Sequence, residues 1–164
     1  MMAVEASGEE VMVHVHHTGT AAVPHTFAWD YISDFRNAED WLFGITKLDV
    51  VGDIPFGPGA VYEGGMKLGP KTLGAVFNVE TWEPPSLLTF GYVSGFEVRS
   101  KWQLKALGEE EFELEVDVHY ELPGGIAGRA LGKIIEPFVI LAVRHSDTTL
   151  RKKLEHRYAD SPSR

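Results

Sequence analysis

The sequence predicts an α+β domain: a curved, seven-stranded antiparallel sheet with one long C-terminal helix laid across it. Three observations carry this. The segments "FEVRSKWQLKAL" and "EFELEVDVHYEL" alternate apolar and polar residues with a period of two and are joined by the hairpin-length "GEE". After the breaker "PGG" at 123–125, everything from Ile126 to about Arg157 reads as one helix. Between residues 45 and 95, glycine and proline turns cut the chain into short β-rich runs.

In order, "VMVHVHHTG" is a half-buried strand, with Val11, Val13 and Val15 on one side and Met12, His14 and His16 on the other. Pro24 opens a short helix over 24–33, in which Phe27, Tyr31 and Ile32 fall at helical spacing. "FRNAEDWLF" is a second short helix or turn. The strands "ITKLDVVG", "GAVYEGGMKL" (entered through "PFGPG"), "TLGAVFNVETWE" (stopped by Pro84-Pro85) and "LLTFGYV" follow. In the final hairpin Phe96, Val98, Trp102 and Leu104 share a face, as do Phe112, Leu114, Val116, Val118 and Tyr120. Its outer faces are basic on one strand and acidic on the other, so they match when paired, each exposed pair contributing about 0.2–1 kcal/mol.

The 164 residues suggest one domain, placed at 10–157, with 1–9 and 158–164 as flexible tails. Apolar residues make up 44%, enough for a core without metal or disulfide staples. Without cysteine there is no thiolate zinc site, cysteine nucleophile or redox switch. A net charge of −9 repels phosphate backbones and argues against a nucleic-acid partner. The basic cluster Arg151, Lys152, Lys153 and Arg157 suits the last turns of a helix. "MMAVEASGEE" lacks the features of a secretory signal, and no apolar run approaches the roughly 20 residues of a membrane span. A cytoplasmic protein is expected, with no cofactor and no metal.

On the long helix, Ala127, Leu131, Ile134, Phe138, Leu141, His145 and Thr149 follow i, i+3/i+4 spacing, the stripe expected to face the sheet. Ile135, Val139, Ile140 and Val143 widen it. Pro137 predicts a bend that lets the helix follow a concave sheet. The bulky inward sheet positions leave two outcomes open, a packed core or an apolar cavity with a few polar groups.

Four stretches, "TGTAAVPHTFAWDYISDFRNAEDW", "FGPGAVYEGG", "VFNVETWEPPSLLTFGY" and "ELPGGIAGRALGKIIEPFVILAVRHSDTTLRKKLE", resemble the START-like (SRPBCC) superfamily. That superfamily includes the birch-pollen-allergen fold and the polyketide cyclase/dehydrase-like group. The resemblance spans about residues 10–157 and rests on turns and core positions. It implies a helix-grip fold with a deep hydrophobic cavity between sheet and helix. The implied function is binding of a small hydrophobic ligand, lipid- or polyketide-like. The alternative is a polyketide cyclase/dehydrase-type enzyme using the same cavity, which could act by holding a reactive chain in one geometry. A protein-interaction module using the groove is a third class.

The ligand-binding residues expected on this basis are Tyr62, Met66, Phe77, Phe90, Tyr92, Ser100, Trp102 and Tyr120 from the sheet, with Ile134, Phe138, Leu141 and His145 from the helix. His145, at the polar end of the stripe, is the candidate general acid/base. Asp147 lies about 200° further round the helix, so the two form no local pair. His17 is in phase with Val13 and Val15 and is a second inward candidate. His14 and His16 share a strand face, a pattern that suggests a metal site, and Asp117 and His119 would join them if the last strand pairs with the first, as the family implies; a metal site also needs a fixed second shell. These positions alternate with core valines, so a solvated polar face is expected there. No nucleophile elbow, phosphate loop or dinucleotide fingerprint is present.

Overall fold

A computed structural model of the chain describes residues 2–7, 10–123 and 125–161, with side chains described over 12–121 and 130–161. The side chains of Val11 and Ala127, assigned inward faces above, lie outside those ranges. Strand β1 (Met2–Ser7) and β2 (Glu10–Ala21) lead into helix α1 (His25–Ile32) and a 3-10 helix, Phe35–Asp40. Six strands follow: β3 (Ile45–Val51), β4 (Val61–Leu68), β5 (Lys71–Glu83), β6 (Leu87–Gly95), β7 (Glu97–Gly108) and β8 (Glu111–Pro123). Helix α2 (Gly125–Ala159) closes the chain and runs without interruption through Pro137. All strands form one antiparallel sheet, ordered β1-β2-β8-β7-β6-β5-β4-β3. The seven expected strands are β2–β8. An eighth, β1, adds to the sheet edge from residues expected to be a tail.

Strands β3 to β8 are successive hairpins, and β8 then returns to pair with β2. That closure decides which side chains meet. Val13 stands opposite Tyr120, Val15 opposite Val118 and His17 opposite Val116, on the inward register. His14 stands opposite His119 and His16 opposite Asp117, on the outward one. In the β7–β8 hairpin, Lys101 opposes Asp117 and Lys105 opposes Glu113, the matched charges read from the sequence.

The core has two parts. One gathers α1, the 3-10 helix and the sheet around Trp29, Phe35, Trp41, Tyr62 and Phe90. Phe35 anchors it, with ring centroids 4.5 Å from Phe90 and 5.8 Å from Phe77. The other part lies between α2, β2 and β8 and includes Val13, Tyr120, Ile135, Val139 and Ala142.

The helix face differs from the expected one. Ile134, Phe138 and Leu141 are 49%, 38% and 40% exposed, and His145 is exposed as well. The buried face is Ile135, Val139, Ala142, Ser146, Leu150 and Leu154. Both series satisfy helical spacing, one residue or about 100° apart. Bulk favoured the first. The second prevails because it offers small residues, Gly132, Ala142 and Ser146, that let α2 approach the sheet. It also continues into Leu150 and Leu154, both 0% exposed. The strand answers with Gly19, where an added Cβ would lie 2.7 Å from Asp147 Oδ2 and 2.9 Å from Arg151 Nε. Gly19→Ala is therefore expected to destabilise the fold by about 1–3 kcal/mol through overpacking, seen as a lower urea midpoint with an unchanged slope.

Candidate functional site

Between the two parts of the core lies a cavity of about 190 Å³. Met66, Phe77, Phe90, Trp102 and Val118 wall it from the sheet, and Val139 and Ala142 from α2. The cavity exists because the helix packs chiefly along β2, with lighter contact to β8 and β4. The rest of the sheet is covered by α1 and the 3-10 helix, whose Phe35 lines the cavity from that side. Phe138, on the outer flank of α2, reaches the β4–β5 turn instead. Its ring fills the place a Cβ would take on Gly69, which has a φ of +62°.

The lining is apolar except at four side chains. Ser100 Oγ accepts from Trp102 Nε1 at 3.0 Å, and Ser146 Oγ accepts from the Phe43 backbone N–H at 2.9 Å. The other two, Tyr120 and Asp147, are buried, and each has a polar atom, Tyr120 Oη and Asp147 Oδ1, without a hydrogen-bond partner. Buried polar atoms of this kind are costly in a native fold, at about 1–3 kcal/mol each.

Asp147 is held firmly. Its side chain is 2% exposed, and Oδ2 accepts from His17 Nε2 at 3.0 Å and from Arg151 Nε at 2.8 Å. Arg151 Nη1 also donates to the Thr20 carbonyl at 2.9 Å. The guanidinium thus supplies the countercharge a buried carboxylate requires and fixes it to β2. Oδ2 is occupied; Oδ1 has no partner and lies close to β2, 2.8 Å from where a Cβ on Gly19 would be.

Tyr120 sits towards the other end. Burial, with a contribution from the negative charge of Glu136, raises its phenol far above the ordinary value, so it remains an O–H donor. Val13, which opposes Tyr120, and His17, which binds Asp147, are four residues apart on β2, about 13 Å at strand rise. The cavity wall therefore includes a phenol and a carboxylate whose β2 neighbours stand about 13 Å apart.

A family described as polyketide cyclase/dehydrase and lipid transport matches residues 12–155. The chain belongs to this family. No curated protein sequence matches it. The fold is shared with a protein from Thermus thermophilus, TTHA0849, at 18% identity and a TM-score of 0.76, over 90% of this chain and 99% of that one. It is shared too with the ZhuI aromatase/cyclase from Streptomyces sp. R1128, at 16% identity and a TM-score of 0.70, over 89% and 95%. A START superfamily protein from Mycobacterium smegmatis matches at 16% identity and a TM-score of 0.71, over 87% and 97%. The helix-grip fold of the START-like proteins is thereby established for this chain.

Within this polyketide cyclase/dehydrase-family cavity, six expected residues are at the wall: Met66, Phe77, Phe90, Ser100, Trp102 and Tyr120. The other six are elsewhere. Tyr62 is fully buried in the aromatic core and donates to the Pro55 carbonyl at 2.8 Å, so it closes the floor beneath the cavity. Tyr92 lies beside a β-bulge at Val93, past the last β6–β7 pair at Phe90 and Ser100. Its ring meets the Arg99 guanidinium at 5.6 Å instead. Ile134, Phe138 and Leu141 lie on the outer helix face for the reason given above. His145 is on that face too, its ring 4.9 Å from Phe43 and outside the cavity.

Sequence reasoning missed Asp147 and Arg151. A signal was present: an acid and a base four residues apart, with the acid next to Ser146 on the small-residue face of α2. His17, the inward candidate, does turn to Asp147.

Tyrosine burial has a measurable consequence. Burial pushes the Tyr62 phenol up to about 12, with the Asp34 carboxylate adding to the rise and Arg36 opposing it. An unfolded tyrosine ionises near 10. The folded value is the higher one, so the stabilisation is complete below about pH 10 and is lost as pH rises towards 12. Urea midpoints are expected to hold up to about pH 9.5 and then fall, with a shallower alkaline fall in Tyr62→Phe.

Proposed function

We propose that the protein binds a slender, mainly apolar small molecule, lipid- or polyketide-like, within the cavity. A hydrogen-bond donor of the ligand would face Asp147 Oδ1, and an acceptor would meet Tyr120 Oη. The observation that carries this is a mainly apolar cavity whose lining includes a 2%-exposed carboxylate with one oxygen unpartnered. Its counterpart at Tyr120 gives the ligand an orientation. The cavity volume exceeds the roughly 150 Å³ that admits benzene but is below the roughly 300–1,000 Å³ usual for drug-sized ligands, which favours a slim molecule. The net charge of −9 disfavours nucleic acid, and no helix among the described residues is long and apolar enough to cross a membrane.

The test is native mass spectrometry of the purified protein for a co-purified small molecule, followed by titration with medium-chain amines, alcohols and acids. Amines and alcohols should bind better than the acids, whose carboxylates would face Asp147. A preference for carboxylates, or equal binding of all three, would refute the assigned orientation.

A second reading is supported by the His17–Asp147 pair. A carboxylate fixed through one oxygen, with the other free in an apolar pocket, can take a proton from a bound β-keto chain. Tyr120 could meanwhile donate to a carbonyl oxygen of that chain. On this reading Asp147→Asn abolishes cyclisation, and His145→Ala, outside the cavity, leaves it intact. Loss of turnover in His145→Ala would count against it.

A further inference from the structure

A second constellation lies on the sheet face turned away from the cavity. His14 and His16 occupy alternate positions of β2, and Asp117 of β8 stands opposite His16. Asp117 Oδ1 is 2.7 Å from His14 Nε2 and 2.8 Å from His16 Nδ1, and the three atoms lie within 4.8 Å of one another. The Asp117 side chain is only 18% exposed. We infer that His14, His16 and Asp117 form a binding site for a divalent transition-metal cation of the zinc type, independent of the cavity.

The chemistry of the donors is the first argument. Two imidazoles and one carboxylate suit zinc, nickel or copper, whereas magnesium and calcium take oxygen ligands. As it stands, one carboxylate oxygen accepts a hydrogen bond from each of two rings. A single cation replaces both of those protons. Zinc bonds of about 2.0–2.1 Å at tetrahedral angles place neighbouring ligand atoms about 3.3 Å apart. Each nitrogen–oxygen distance then lengthens by about half an ångström, a shift on the scale of a small side-chain rotation.

The surroundings are the second argument. His16 Nε2, its other ring nitrogen, lies 3.6 Å from Glu115 Oε2. At that distance the Glu115 carboxylate adds negative charge beside the ligating imidazole, which favours a cation there. The His14 ring is stacked on His119, with centroids 4.1 Å apart and planes 7° from parallel, which restrains its rotation. All three ligands come from two neighbouring, hydrogen-bonded strands, so the site is held by backbone geometry. Lys101 opposes Asp117 across β7 but is exposed, and the carboxylate turns to the histidines. A bound cation would tie β2 to β8, the pairing that joins the start of the sheet to its last strand. The remaining coordination positions are open to water.

The experiment is calorimetric titration of chelator-treated, full-length protein with zinc chloride at pH 7.5 in a non-coordinating buffer, with thermal unfolding in parallel. One equivalent should bind and raise the Tm, and magnesium should do neither. His14→Ala and Asp117→Asn should each weaken binding at least about tenfold. These positions are on the outer sheet face, so circular dichroism of both variants should match the parent. His156→Ala, which removes the exposed His156–Asp160 pair on α2, should change nothing. Absence of saturable zinc binding would overturn the proposal. Equal affinity in the parent, His14→Ala and Asp117→Asn would overturn it as well, since the cation would then sit elsewhere.

Discussion

Asp147→Asn should fold, yet bind ligand about 10–100-fold more weakly than the parent. The substitution keeps the shape of the side chain, and its amide oxygen can still accept from Arg151 or His17. The NH2 group then occupies the position of Oδ1 and presents a donor where the cavity offered an acceptor. Loss of a hydrogen bond to a charged group, at about 1.5–3 kcal/mol, gives the stated range. Asp147→Ala should cost stability as well, about 1–3 kcal/mol, because it strands the donors of His17 and Arg151. The cost stays below that of breaking a fully buried pair because Arg151 is 30% and His17 25% exposed, so both can regain water. Calorimetric ligand titration and urea denaturation of the two variants measure these effects separately. An Asp147→Asn protein with parental affinity for every ligand in the series would remove the carboxylate from the binding site.

Val118→Phe should nearly abolish ligand binding while leaving the protein as stable as before or slightly more so. Val118 lies at the wall between the two parts of the core, opposite Val15 on one side and Ser100 on the other. A ring there projects into the 190 Å³ space. Each 40 Å³ of cavity filled restores about 1 kcal/mol, and strain in the new rotamer offsets part of it. The expected readings are an affinity loss above about a hundredfold and a Tm within a few degrees of the parent or above it. Parental affinity in a folded Val118→Phe protein would show that the ligand sits elsewhere. If instead the ligand is lost by Val118→Phe but retained by Asp147→Asn, the cavity binds without the polar anchor.

The two predictions rest on features of different legibility. The cavity wall was half readable. Met66, Phe77, Phe90, Ser100, Trp102 and Tyr120 follow from strand alternation, which assigns every second residue to one face. Tyr62 and Tyr92 obey the same alternation and still miss the cavity. One is taken by the packed floor, and the other sits beside a bulge where β6 and β7 part. The polar anchor was hardly readable at all. His17 and Asp147 are 130 residues apart, and only the packing of α2 on β2 brings them together.

By itself the sequence determined the order of elements from β2 onward, the strand faces, the hairpin charge match and the extent of the last helix, because period-two alternation and turn residues act locally. Tertiary structure alone decided which of two helical stripes faces the sheet. Both stripes satisfy the same spacing, and close approach selected the one with small residues, with Gly19 of β2 making room for Asp147 and Arg151. It also decided that the core leaves a space, since a cavity is the small difference between the volume the sheet encloses and the volume its side chains fill. His145 was set outside and Asp147 within by the same rotation of α2, about its own axis, through a single residue.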